Sequence, residues 1–153
     1  MPDVKHTFTF EVQAPAEVVW TRISDMSYWA SLIPGYVSHE LVDERESLWT
    51  VKGDLGILNK TITFRVTITE WDEPAKVGFT LKATNENVAG DGYFLAEPTG
   101  PDTTMVTGYL DLQPGGRLAP VVNVFMKQLM PKTTLDFAKA LANKIEGEYR
   151  SQG

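Results

Sequence analysis

The chain has no cysteine. Disulfides, thiolate nucleophiles, iron–sulfur clusters and cysteine zinc sites are therefore excluded. Histidine is scarce: His6 and His39 stand far apart, and neither has a partner at ligand spacing. Hydrogen-bonded or solvated imidazoles are expected, and no metal. Basic residues are in deficit, 14 against 20 acidic, for a net charge of −6. A general nucleic-acid binder needs a basic face, so no nucleic-acid partner is expected. The same deficit disfavours electrostatic docking on anionic lipid. No apolar run approaches the ~18 residues of a membrane helix. The start, MPDVKHTFTF, has no basic segment leading into an apolar one, so a cytoplasmic protein is expected. There is no G-x-S-x-G elbow, and Ser24-Asp25 has no histidine nearby.

What is present is ordinary in amount and ordered in pattern. A length of 153 residues with 42% hydrophobic side chains favours one domain, residues 1–153, with a core large enough to hold a pocket. HTFTFEVQ alternates, with His6, Phe8, Phe10 and Val12 on one face of a strand. APAEVVWTRISD then reads as a short helix, with Pro15 in its first turn and Glu17 near its positive end. Asp25 is placed to cap a second, MSYWASLI, which Pro34-Gly35 ends.

From Tyr36 to Leu112 the period is two, strand after strand with short turns, which implies antiparallel hairpins. Glu44-Arg45-Glu46-Ser47 is read as one of the turns. The clearest strand is KTITFRVTITEW: Ile62, Phe64, Val66 and Ile68 face one way, threonines and Arg65 the other. After Pro114-Gly115-Gly116 the period becomes helical. Leu118, Val121, Val122, Phe125, Met126 and Leu129 form one stripe, and Leu135, Ala138, Ala142, Ile145 and Tyr149 a second. Pro131 between them is expected to kink or split the helix. The fold class is α+β: a curved antiparallel sheet of about seven strands wrapped on a long C-terminal helix, with two short helices after the first strand.

KGDLGILNKTITF has two glycines, a lysine and a threonine, as a phosphate loop would. A phosphate loop leads into a helix whose amides face the anion. Here Gly53 and Gly56 lie between two strands, so the segment is a hairpin tip, and no nucleotide is expected. Its Leu55, Ile57 and Leu58 suit the mouth of a cavity, beside Trp29 and Ile33.

FEVQAPAEVVWTRISD followed by WASLIPGY resembles the opening of the START-like polyketide cyclase/dehydrase (SRPBCC) superfamily, the helix-grip fold. The IPG after the second helix, VKGDLGIL, GDGYF and DLQPGGRLAP look most like the G subunits of carbon monoxide dehydrogenase. The resemblance implies an internal apolar cavity. It also implies a carrier for a hydrophobic, lipid- or quinone-like molecule, with transient contact to a membrane or a molybdenum enzyme. No cofactor is expected.

Chemistry-bearing residues give less. Asp25 reads as a helix cap. Asp91, between Gly90 and Gly92, reads as a surface strand position whose glycines permit a bulge or the close approach of another group. Alternation turns Phe94 and Leu110 inward and leaves Tyr93 and Tyr109 outward, so no catalytic residue is assigned. The expected ligand-binding residues are apolar: Trp29, Ile33, Trp49, Phe64, Phe79, Phe94, Val122, Phe125, Met126 and Leu129. Three functions stay open. A non-enzymatic carrier of a hydrophobic molecule needs an apolar cavity. A polyketide cyclase or aromatase needs convergent buried Tyr, Arg, Asp or His groups. An interaction module of the Hsp90 co-chaperone activator type needs an exposed apolar patch.

Overall fold

The computed structural model describes residues 4–33, 36–55, 58–84, 87–114, 119–124, 127 and 130–152. In chain order they form β1 (Val4–Val12), α1 (Ala16–Ile23), α2 (Met26–Trp29), a single 3-10 turn (Ala30–Leu32), β2 (Tyr36–Leu41), β3 (Glu46–Leu55), β4 (Leu58–Asp72), β5 (Lys76–Ala83), β6 (Val88–Gly100), β7 (Thr103–Pro114), α3 (Ala119–Val124) and α4 (Met130–Gln152).

The strands make one seven-stranded sheet in the order β1-β7-β6-β5-β4-β3-β2, every neighbouring pair antiparallel. Five consecutive hairpins build β2 to β7. The first strand then adds beside the last, pairing Val4 with Leu112 and Val12 with Thr104. An antiparallel sheet of about seven strands is the expected class, and its local reasons are those in the sequence. Pro15, with φ of −62°, stands immediately before α1. Asp25 caps α2, its carboxylate accepting from the Ser27 amide at 3.1 Å. The turn before β3 lies earlier than expected, because Glu46 and Ser47 already belong to the strand. Asp43 makes that turn by accepting the Arg45 and Glu46 amides, both at 2.8 Å.

The alternation in β4 holds through Ile68 and then breaks. A bulge between Ile68 and Glu70 shifts the register, so that Trp71 stands opposite the buried Val77. Trp71 thereby reaches Trp20 of α1, ring centroids 5.2 Å apart in an edge-on pair.

Pro131 is the second residue of α4, and the chain just before α4 lies outside the described residues, so its expected kink or split is not decided here. One expectation about the C-terminal helix needs correction. The buried stripe of α4 is Phe137, Ala138, Leu141 and Ile145, while Leu135 is 54% exposed. Helix direction explains the offset: Phe137 and Leu141, four apart, stack on the face that meets β1 and α1, and Leu135 falls outside it. The C-terminal half of α4 is fastened to the short helices. The Tyr28 hydroxyl donates to Glu148 at 2.9 Å, and Arg22 lies 3.4 Å from the same carboxylate. Lys144 donates to the Tyr28 carbonyl at 2.9 Å, its ammonium 4.1 Å from the ring centroid.

Candidate functional site: an apolar cavity between sheet and helix

Between the inner face of the sheet and the start of α4 lies a cavity of about 280 Å³. Its walls come from nearly every strand, because the curved sheet turns alternate residues of β1 and of β3 to β7 to one space. Trp49 and Val51 come from β3, Phe64 and Val66 from β4, Phe79 and Leu81 from β5, Phe94 from β6, and Leu110 and Leu112 from β7. His6 and Phe8 of β1 close one side, and Met26, Trp29 and Ile33 the other. Phe137 and Thr134 of α4 form the roof.

The room is made by glycine. Phe8 stands directly opposite Gly108, and Phe79 opposite Gly92. A Cβ on Gly108 would lie 2.3 Å from the Phe8 ring. One on Gly92 would lie 2.5 Å from the Tyr109 carbonyl oxygen and 3.0 Å from the Phe79 ring. The rings therefore lie across bare backbone; at Gly92 this is the close approach, rather than a bulge, that the glycines beside Asp91 permit. β6 and β7 keep a continuous register there, without a bulge.

The aromatic walls hold one another. Trp29 stacks on Trp49 at 5.6 Å and meets Phe94 edge-on at 5.3 Å, and Phe137 meets Phe8, Trp29 and Phe94 at 6.5, 6.1 and 6.4 Å. The indole N–H groups are satisfied away from the cavity: Trp29 donates to the Ile23 carbonyl at 3.0 Å and Trp49 to the Ser47 hydroxyl at 2.7 Å. Their rings thus present only carbon inward. His39 of β2 stacks behind Trp49 at 5.1 Å, tied to the Tyr36 hydroxyl through Nδ1 at 2.6 Å and to the Ser27 hydroxyl through Nε2 at 3.0 Å.

Most of the charged residues of the sheet face the other way. Tyr93 and Tyr109 border the cavity beside these glycines, but their rings stack on each other at 5.0 Å, with Lys76 4.4 Å from the Tyr93 ring centroid. Burial, and then the neighbouring Asp111 carboxylate, push the Tyr109 hydroxyl above its ordinary pKa, which keeps it neutral. Asp91 pairs with Asp111 on that same outer face, and Arg65 pairs with Glu46 there at 2.7 Å. Among the described residues no group of three or more His, Asp or Glu side chains could hold a metal, and no helix is long and apolar enough to cross a membrane.

Of the ten residues expected to contact a ligand, Trp29, Ile33, Trp49, Phe64, Phe79 and Phe94 line this one cavity. Val122 belongs to α3, but its side chain, with Phe125, Met126 and Leu129, lies outside the described residues. The Leu55–Leu58 tip does too, although β3 and β4 stay paired up to Leu55 opposite Leu58. A strand, not a helix, follows the glycines, which removes the phosphate-loop reading. Sequence reasoning missed His6 and Thr134 as wall residues. His6 was marked by its place on the Phe8, Phe10, Val12 face; Thr134, 128 positions away, carried no signal.

A wider hollow of about 560 Å³ lies outside, as an open groove between the free edge of β1 and α4. His6, Phe8 and Thr134 border both spaces, and the groove's far side carries Glu11, Lys139 and Glu146.

The model of the family described as polyketide cyclase/dehydrase and lipid transport matches residues 3–146. Comparison with curated proteins yields no match. Among solved structures, a conserved protein from Geobacillus kaustophilus superposes with a TM-score of 0.80 at 18% identity, covering 95% of this chain and 97% of that one. The Zhui aromatase/cyclase from Streptomyces sp. R1128 gives 0.75 at 18% identity, covering 99% of each chain. A START superfamily protein from Mycobacterium smegmatis gives 0.71 at 21% identity, covering 97% and 99%. At these identities the likeness is one of fold.

Proposed function

The chain belongs to the polyketide cyclase/dehydrase and lipid transport family, and from that premise we propose that it binds and carries a hydrophobic, lipid- or quinone-like small molecule in the cavity without transforming it. The observation that carries this reading is the lining: carbon surface on most sides, with Asp91, Asp111, Glu46 and Arg65 on the opposite face of the sheet. A cyclase must place several acids and bases around its substrate. Here, among the described residues, the titratable groups that border the cavity are His6, Tyr93 and Tyr109, with no carboxylate or arginine, and the two tyrosines stack on each other rather than converging with His6. The residues we assign to ligand contact are Trp29, Ile33, Trp49, Phe64, Phe79 and Phe94.

Energetics support the same reading. An apolar space of about 280 Å³ leaves its wall atoms without packing partners on one side, which costs stability that a filled core would keep. The likeness of the VKGDLGIL and DLQPGGRLAP segments to the G subunits of carbon monoxide dehydrogenase supports a quinone-like cargo delivered to a molybdenum enzyme or a membrane.

The test is direct. Protein purified without delipidation is sprayed under native conditions, and any retained small molecule is identified from its mass. Val51→Phe, which projects a ring into the cavity, is then compared. Retention by the natural sequence and loss in Val51→Phe, with an unchanged thermal midpoint, is expected. A protein that never holds an apolar molecule, natural or added, defeats the proposal. Turnover of a polyketide-like probe would instead move the cyclase reading ahead.

A further inference from the structure

The cavity is apolar along most of its wall but not at its β1 end. There His6 Nε2 stands 3.0 Å from the Thr134 hydroxyl oxygen, linking the first strand to α4. The Thr134 hydroxyl donates its proton to the Pro131 carbonyl at 3.2 Å. A hydroxyl has one proton to give, so toward His6 it can only accept. With the hydroxyl proton assigned to Pro131, Nε2 is the donor of this pair, and the matching tautomer leaves Nδ1 as an acceptor lone pair. That nitrogen makes no hydrogen bond to any described residue. The ring itself is held, stacked on Phe8 with centroids 6.0 Å apart. A half-buried acceptor on a fixed ring, bordering a carbon-lined space, is the kind of group that selects one end of a ligand.

We infer that His6 is the head-group subsite of the cavity, and that the ligand is a compact ring system carrying a hydroxyl at one end, which donates to His6 Nδ1. This rests on the carrier reading above and adds orientation and class to it. Size points to the body: about 280 Å³ is nearly twice the ~150 Å³ that encloses one benzene, so a fused two-ring skeleton fills it. Position points to the head. His6 and Thr134 border both the cavity and the outer groove, so the hydroxyl end lies toward the groove with its Glu11, Lys139 and Glu146, and the rings lie toward Trp29 and Phe64. The polar end thus stays nearest water, as an amphiphilic guest requires.

The experiment uses naphthol and its methyl ether, methoxynaphthalene, which share a skeleton and differ in the one donated proton. Their affinities are measured by quenching of the tryptophan fluorescence and by calorimetry. The natural sequence should bind naphthol about tenfold more tightly, the usual yield of one buried hydrogen bond. His6→Phe keeps the stack on Phe8 and removes the acceptor, so naphthol should fall to the affinity of the ether. Thr134→Val, a change on the opposite wall, releases the ring and should shrink the preference to a few-fold. His6→Asn gives the same comparison if His6→Phe fails to fold, as judged by its melting curve. Equal affinities in the natural protein, or a preference that survives loss of the imidazole, overturn this inference while leaving the carrier reading in place. Failure of both probes to bind overturns the carrier reading and this inference with it.

Discussion

Each long strand of this sheet serves two different ends of the molecule. Toward one end lie Val12, Ala14, Val19, Ile23, Val106, Leu141 and Ile145, all with no exposed surface. Toward the other, on the same strands, His6 and Phe8 follow the chain away from Val12, and Gly108 and Leu110 follow it away from Val106. The packed end is built mainly from small and branched side chains, with Trp20 among them, beneath α1 and the second half of α4. The hollow end is built from glycine and aromatic rings beneath the start of α4. The contrast is physical. Branched aliphatic chains interdigitate and leave no gap. Flat rings laid over glycine cannot fill the space above them, yet they hold each other rigid enough that the space does not collapse. One sheet thus supplies a core for stability and a lined void for binding.

The comparison breaks most visibly if the packed end proves dispensable. Leu141 is wholly buried, so Leu141→Ala should cost ~2–5 kcal/mol, read from denaturant midpoints. A loss below ~1 kcal/mol would mean that the two ends are equally loose. Next in size is the sheet beneath the void. Gly92→Ala drives a methyl against the Tyr109 carbonyl, a backbone atom that cannot turn aside, and should cost ~1–3 kcal/mol. Gly147→Ala is its control: nothing lies within 4 Å of the added carbon in α4, and helix propensity should make the protein ~1 kcal/mol more stable. The hollow end itself answers more weakly. Leu110 borders empty space on one side, so Leu110→Ala removes fewer contacts than Leu141→Ala and should cost ~1 kcal/mol. Equal losses at 110 and 141 would contradict the division into packed and hollow ends.

How much of this the sequence disclosed follows the range of each interaction. The seven strands, the two short helices and their caps were legible because alternation, Pro15 and Asp25 act within a few residues. The inward turn of Trp49, Phe64, Phe79 and Phe94 followed from the same alternation. The shift at Glu70 was not legible, since a bulge answers to the partner strand, and Trp71 changes face with it. The true stripe of α4 was misplaced because Leu135 and Phe137 are both apolar, and tertiary packing alone chooses between them. The hydroxyl of Thr134 meets His6 across almost the whole chain, a distance no local pattern encodes.

The smallest effect concerns the fastening of the packed end. Tyr28 donates to Glu148 at 2.9 Å, between Arg22 and Lys144, so α2 is held to the last turns of α4. Burial first, and then this hydrogen bond to a carboxylate, push the Tyr28 hydroxyl well above its ordinary pKa. The sign follows from which state releases the proton first. The unfolded chain ionises its tyrosine near pH ~10, while the folded protein still holds the neutral phenol. Below pH ~10 the contribution is therefore complete, and as pH climbs beyond that the unfolded state gains and stability is lost. Glu148 is partly solvated, 39% exposed, which limits the bond to roughly 0.5–1 kcal/mol. Tyr28→Phe should cost that much near pH ~7 and progressively less above pH ~10, so the two stability curves converge in alkali. Tyr109 and Tyr149, also shifted upward, titrate alike in both proteins and cancel in the difference. A gap between the curves that stays constant through this range would mean that the Tyr28 hydroxyl is not what fastens the short helices to α4.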